Sequence, residues 1–201
     1  MSKTADNEQL VRVLQMRLNQ RGETLKIDGH GGPATLAALD RRLPDLVPSP
    51  SPATPVAGMT TSARHYALAR EYLGLREQPG GGTHPLLVPM FALTPSWLDR
   101  DDSVTAWCGI FRGWLGHRAG TGLPAEHYRA ASWAKWGRAV DITKPATWQQ
   151  GDTIVMTRTG GNHVCLLDRI EGQHAWCLGG NQDNAVTIAK FPLTRITAVR
   201  R

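Results

Sequence analysis

The stretch GDTIVMTRTGGNHVCLLDRIEGQHAWCLGGNQDNAVTIAKF, residues 151–191, decides the fold. Within it, GDTIVMTR, NHVCLLDRI, HAWCLGG and AVTIAKF are short β-rich runs, each cut off from the next by Gly, Asn or Asp. Runs of this length between turn residues predict antiparallel strands. Before Lys135 the texture is different. SVTAWCGIFRGWLGHRAG (103–120) reads as a helix opening at Cys108, and ARHYALAREYLG (63–74) as another, with Ala67, Leu68, Tyr72 and Leu73 on one apolar side. Helices first and strands afterwards predict an α+β domain.

Further outward, LPDLVPSPSPATPVAGMTTS (43–62) is almost bare of charge and of large apolar side chains. Such a segment buries too little to fold and predicts an extended spacer. It separates a helical head, residues 1–46, from a body, residues 63–201, with 47–62 as the linker. In the head, Leu10, Val11, Leu14 and Leu18 recur at helical spacing up to Gly22. After a Gly-rich turn, Pro33 opens a second helix carrying Leu36, Leu39 and Leu43. A unit so small is marginal by itself.

The head pattern VRVLQMRLNQRG…LKIDGHGGPATLAAL resembles the three-helix peptidoglycan-binding module found at the ends of many wall hydrolases. The positions that match its motif are Asp28, Gly29, Gly32, Pro33 and Thr35. The resemblance implies that these residues belong to a cell-wall-binding surface. Gly31 stands where that module usually has an aromatic residue.

Three residues of the body line up for chemistry: Cys108 at a helix start, His163 at the start of a strand, and Asn181 just after the next strand. A thiol becomes a good nucleophile when deprotonated, and both a helix N-terminus and an imidazole favour the thiolate. The imidazole needs a third group to hold its tautomer, for which Asn181 is the candidate and Asp168 the next. Cys165 and Cys177 are read as core thiols with no cross-strand disulfide.

That order of nucleophile, base and orienter resembles the papain-like thiol hydrolases. More narrowly, WCGIF…NHVCLL…LGGNQ, with the upstream LGLREQPGGGTHP and with Gly151–Asp152 before the histidine strand, is similar to the cysteine- and histidine-dependent amidohydrolase/peptidase domains of phage endolysins and bacterial wall hydrolases. The resemblance implies hydrolysis of a peptidoglycan amide through a thioester on Cys108, with no obligatory cofactor. Glu77, which stands where the group has a glutamate, Trp107 and Gln182 are expected along the substrate groove, with Trp107 packed under or beside the nucleophile. A solvent-exposed or cap-like role is the alternative for Glu77. An N-acetylmuramoyl-L-alanine amide is favoured over an interpeptide bond because every peptidoglycan contains it. The rivals are an endopeptidase, a secreted antibacterial effector amidase, and a catalytically silent wall-binding protein.

The remaining features narrow the partners. A net charge of +6 and a pI near 9.7 suit an anionic polymer, and the scattered Lys and Arg do not track a nucleic-acid backbone. No apolar run is long enough to span a bilayer, and the first residues lack the apolar core of a secretory signal. The expectation is a monomer that waits in a host cytoplasm for a phage holin pore and acts on the wall beyond it. His30, His65, His84, His117, His127 and His174 are read in loops or on polar helix faces, without zinc-ligand spacing. Asp99, Asp101 and Asp102 look superficially like a calcium loop, which some related domains have. Without the glycine and distal glutamate of a complete loop they are read as a solvated turn. Trp133, Trp136 and Trp148 are read as core.

Overall fold

A computed structural model of the protein describes residues 3–46, 58–80 and 82–201. The chain divides into two compact units, Met1–Ser51 and Pro52–Arg201. The division falls inside the Pro-rich segment, most of which, residues 47–57, lies outside the described residues. The first helix after it starts at Thr61, two residues before the expected body, with Thr60 as its cap accepting from the Ala63 N–H.

The head has helices α1 (Lys3–Asn19) and α2 (Pro33–Leu46), two among the described residues where three were expected. Its core is polar at the centre. Gln15, only 1 % exposed, sits one turn from the buried Leu18. Its amide nitrogen donates to Asp28 Oδ1 (3.0 Å), to the His30 carbonyl (3.1 Å) and to Thr35 Oγ1 (3.1 Å). Its Oε1 accepts the N–H groups of Asp28 (3.1 Å) and Gly29 (3.0 Å). A buried amide satisfied at this many points ties the loop to both helices. Leu36 is exposed, contrary to the helical pattern, because α2 turns Ala38 inward together with Thr35, which meets this hub. The side chains of Leu10 and Leu43 lie outside the described residues.

The body is α+β, as its order of helices and strands predicts. Helix α3 (Thr61–Arg70), the short α4 (Val88–Phe91) and α5 (Cys108–Arg118) precede β1 (Ala139–Val140), β2 (Thr153–Arg158), β3 (Gly161–Glu171), β4 (His174–Gly179), β5 (Thr187–Pro192) and β6 (Ile196–Arg200). The strands form one sheet in the order β1-β6-β2-β3-β4-β5, antiparallel throughout. Period-two alternation gives the sheet two faces. On one, Ile154, Met156, Cys165, Leu167 and Cys177 join side chains from the other strands, including Val199 and Phe191, in a single apolar cluster. On the other, Val155 and Val164 pack against Cys108, Ala130 and Trp133. Cys165 and Cys177 are buried free thiols, and Trp133 and Trp148 are buried.

Helix α5 is buried on nearly every side, which its glycines permit. A Cβ on Gly109 would stand 2.3 Å from the carbonyl oxygen of Tyr128, and one on Gly113 2.4 Å from the His127 ring. The 122–131 loop can therefore lie directly on the helix. Gly109→Ala forces backbone apart, and such overpacking costs about 1–3 kcal/mol. The expected result is a fall in Tm of roughly 3–10 °C, checked by thermal melts.

The polar heart of this layer is Arg112, 1 % exposed and without a carboxylate partner among the described residues. Its guanidinium lies 4.2 Å from the Trp133 ring and 4.7 Å from that of Trp136. It donates to Thr153 Oγ1 (3.0 Å from Nη2) and to His65 Nδ1 (3.0 Å), and burial pulls it down to about 9. His65 is thus a core residue rather than one on a polar face. Tyr66, Leu68 and Ala69 share its side of α3, while Ala67 and Leu73 are exposed. Residues Gly151–Asp152 serve the fold: Asp152 accepts two bonds from Arg201 (2.7 and 2.6 Å) and one from the Gln149 N–H (2.8 Å).

Candidate active site

Cys108 is the first residue of α5, after a helix start that has no side-chain cap. The first N–H groups of the helix have no partner within it and point at the space before Cys108. Trp107, fully buried, holds this start in place. Its indole N–H donates to Glu77 Oε1 (2.7 Å), its ring meets Phe111 edge-on at 6.3 Å, and Gly180 lies so close that a Cβ there would stand 2.4 Å from the ring. Trp107 packs beside Cys108, and because it is fully buried it does not line a groove, where it was also expected. Glu77 is half-buried, and its carboxylate positions the indole.

Burial pushes the Cys108 thiol up, while the N–H groups of Val164, Gly109 and Cys108 itself act in the other direction. The sulfur therefore lies beside the amide of the residue that follows His163.

His163 is 3 % exposed on β3, and its Nε2 is 3.0 Å from Gln182 Oε1. The identity of that oxygen follows from the rest of the amide. Gln182 Nε2 lies 3.3 Å from the Cys177 carbonyl, 2.7 Å from the Thr187 carbonyl and 3.1 Å from Thr187 Oγ1. Carbonyls only accept, so that end is the NH2 group and the other end must accept from the ring. His163 therefore carries its proton on Nε2 and offers a lone pair at Nδ1. Asn181, expected to hold the ring, makes no hydrogen bond to it; the ring's partner is Gln182. Asn181 has φ +56° in the turn after β4, which sends its side chain to the rim of the same cleft. Asp168, the other candidate, lies five residues along β3 and accepts from the Tyr66 hydroxyl and from Arg169 (2.6 Å).

Thiol and imidazole are not hydrogen-bonded to each other. Alternation puts His163 on the face of Met156 and Cys165, with Phe191 at 5.7 Å, whereas Cys108 packs on the face of Val155 and Val164. The ring lines one cleft, of about 310 Å³, with Arg158, Asn181 and Arg195. The sulfur lines another, of about 460 Å³, with Trp97, Tyr128 and Asn162. Residues 161–163 separate the two. The expected direct contact between nucleophile and base is absent among the described residues.

No family model matches the chain, and no curated protein matches it.

The other positions singled out earlier take part in hydrogen bonds within their own unit. Asp28, Gly29 and Thr35 turn inward to Gln15, while Pro33 takes the first position of α2, so the head motif builds its own core. Asp102, 2 % exposed, accepts the N–H groups of Gln78 (3.3 Å) and His84 (2.8 Å), and Asp101 that of Gly82 (2.9 Å). The acidic run is therefore a clamp on the 78–84 loop, which corrects the reading of a solvated turn. Gln15 was missed, although a glutamine between Leu14 and Leu18 on a helix's apolar side was a visible signal.

Burial pulls His163 down to about 4 and His65 to about 2, from an ordinary value of 6.5. The unfolded chain then binds these protons more readily than the folded one below pH 6.5, so stability is full above that pH and is lost as pH falls towards 4. The loss reaches several kcal/mol on the scale of about 1.4 kcal/mol per pH unit for each group. Melts are expected to be level from pH 8 to 7 and to drop steadily below about 6.5. A Tm that stays level down to pH 4.5 contradicts the burial of these rings in neutral form.

Proposed function

We propose that the protein is a peptidoglycan hydrolase that cuts an amide bond through a papain-like cysteine–histidine mechanism. The observation that carries this reading is the tautomer of His163. Gln182 holds the ring with a free lone pair at Nδ1, one residue from the amide that faces the Cys108 sulfur. His163 takes the thiol proton at Nδ1, and the sulfur attacks the carbonyl carbon. The imidazolium then protonates the leaving amine, and water resolves the thioester. The uncapped N–H groups at the start of α5 face the developing oxyanion. His163 and Cys108 lie on opposite faces of β3, so this reading requires the 161–163 end of the strand to turn the ring towards the sulfur when substrate binds. The α+β body with a thiol-bearing helix ahead of an antiparallel sheet supports the resemblance to wall amidohydrolase domains.

Within this reading the head attaches to the wall, and the positive charge favours the anionic polymer. Among the described residues no helix is long and apolar enough to cross a membrane. Phage release through a holin pore fits an enzyme whose substrate lies outside the host membrane. The bond proposed is the N-acetylmuramoyl-L-alanine amide. Mass spectrometry of digested sacculi tests it: sugar-free intact stem peptides with a new amine on L-alanine are expected. Stems cut internally with the sugar still attached identify an endopeptidase instead. New reducing ends contradict both, because glycoside cleavage needs a carboxyl acid that this site does not use.

A catalytically silent wall-binding protein is favoured by one observation, the missing bond between Cys108 and His163. Turbidity loss of purified wall separates the readings.

A further inference from the structure

The two clefts that meet at residues 161–163 differ in chemistry. Around the sulfur, the walls include Trp97, whose ring meets that of Tyr128 edge-on at 5.9 Å, and Arg129, which is already paired with Glu126 at 3.3 Å. Around the imidazole stand Arg158 and Arg195 against a single carboxylate, Asp183. Arg195 is held for use: its Nε and Nη2 both donate to the Thr157 carbonyl (2.8 and 2.6 Å), and its guanidinium lies 5.4 Å from the Phe191 ring. Lys190 also borders the cleft, but its ammonium is turned to the other face of the sheet, 5.8 Å from the Trp176 ring. Arg158 makes no hydrogen bond or ion pair among the described residues, yet its charge acts on both the Cys108 thiol and the His163 ring. Cations gathered beside a buried ring without matching carboxylates form a site for an anion.

The order of the chemistry says which half of the substrate meets them. In a thiol hydrolase the acyl half stays on sulfur, and the imidazolium gives its proton to the departing amine. The acyl half then occupies the aromatic cleft of Cys108, and the amine half lies on the His163 side. We propose that the Arg158–Arg195 cleft is the leaving-group subsite and takes a carboxylate of the released peptide, within two residues of its new amine. This rests on the hydrolase reading above. In a wall stem the matching group is the α-carboxylate of a glutamate that follows alanine and continues the chain through its γ-carboxyl. The guanidinium of Arg195, fixed by Thr157, presents its remaining N–H groups to one oxygen edge, and Arg158 closes over the other.

The test compares two soluble muropeptides that differ only at that glutamate, one with the α-carboxylate and one with the α-carboxamide. Both are treated with the full-length protein, and kcat/KM is read by chromatography of the products. The carboxylate form is expected to be cut at least tenfold faster, on the scale of a charge-assisted bond exchanged for a neutral one. Arg158→Gln and Arg195→Gln are each expected to reduce that ratio severalfold, and Arg158→Lys to keep most of it. Equal rates for the two forms in the unaltered protein overturn the subsite and leave the hydrolase reading standing. Cleavage within the stem that leaves alanine on the sugar also overturns it, because the amine half is then a different peptide. If neither muropeptide is cut, the thiol hydrolase reading itself fails and the subsite with it.

Discussion

Cys108→Ala is expected to abolish the clearing of purified sacculi, a fall of about 10⁴-fold or more in rate, while circular dichroism and Tm stay close to those of the unaltered chain. Loss on this scale is usual when the atom that forms the covalent bond is removed. The other two thiols cannot take over. Cys165 and Cys177 lie in the apolar cluster on the opposite face of the sheet, and burial together with the neighbouring Cys177 thiol drives Cys165 well above the ordinary thiol range. Cys108 differs in lining an open cleft at a helix start. Alkylation followed by peptide mapping should find Cys108 modified first. Wild-type clearing by Cys108→Ala excludes the thiol mechanism.

His163 and Gln182 give the second large effect. His163→Ala is expected to be nearly as damaging as loss of the nucleophile, since members of one catalytic unit are not additive. Gln182→Ala removes a positioning residue. The ring loses the acceptor that keeps its proton on Nε2, and a drop of about 10²- to 10³-fold is expected, with a measurable remnant. A merely structural role for Gln182 is separated by the acid side of the kcat/KM profile. The Gln182 bond is the one contact that opposes the downward shift of the His163 pKa, so its loss should move that limb to lower pH. Asn181→Ala, at the rim, should change rates only a few-fold. An Asn181→Ala protein as inactive as His163→Ala contradicts the assignment of Gln182.

The strands were legible because each run is short, alternates, and ends at Gly, Asn or Asp, and the register then follows from the faces. The start of α5 at Cys108 and the position of His163 on β3 were legible from spacing for the same reason. What local pattern could not decide was set by long-range packing. Asn181 and Gln182 are adjacent amides, and only the left-handed turn at Asn181, with the Thr187 carbonyl beyond it, selects the second. Glu77 meets Trp107 across 30 residues of sequence, a pairing no motif announces. His65 looked polar because its partners, Arg112 and Thr121, come from other parts of the chain. In the head, Asp28, Gly29 and Thr35 were visible as a motif, but their inward role depended on Gln15, a polar residue on an apolar side. Strand alternation also carried a warning: with Val164 packed on Cys108, its neighbour His163 must face the other way.

The central claim is a thioester between Cys108 and the acyl half of a wall amide, and hydroxylamine trapping tests it most directly. Thioesters react readily with hydroxylamine, so the intermediate divides between water and the added nucleophile. Sacculi digested by the full-length protein at rising hydroxylamine concentrations should yield an increasing share of hydroxamate at the lactyl carbonyl of muramic acid, detected by mass, and none with Cys108→Ala. Digestion that yields only the free carboxylate at every hydroxylamine concentration, or hydroxamate formed equally by Cys108→Ala, contradicts the covalent mechanism.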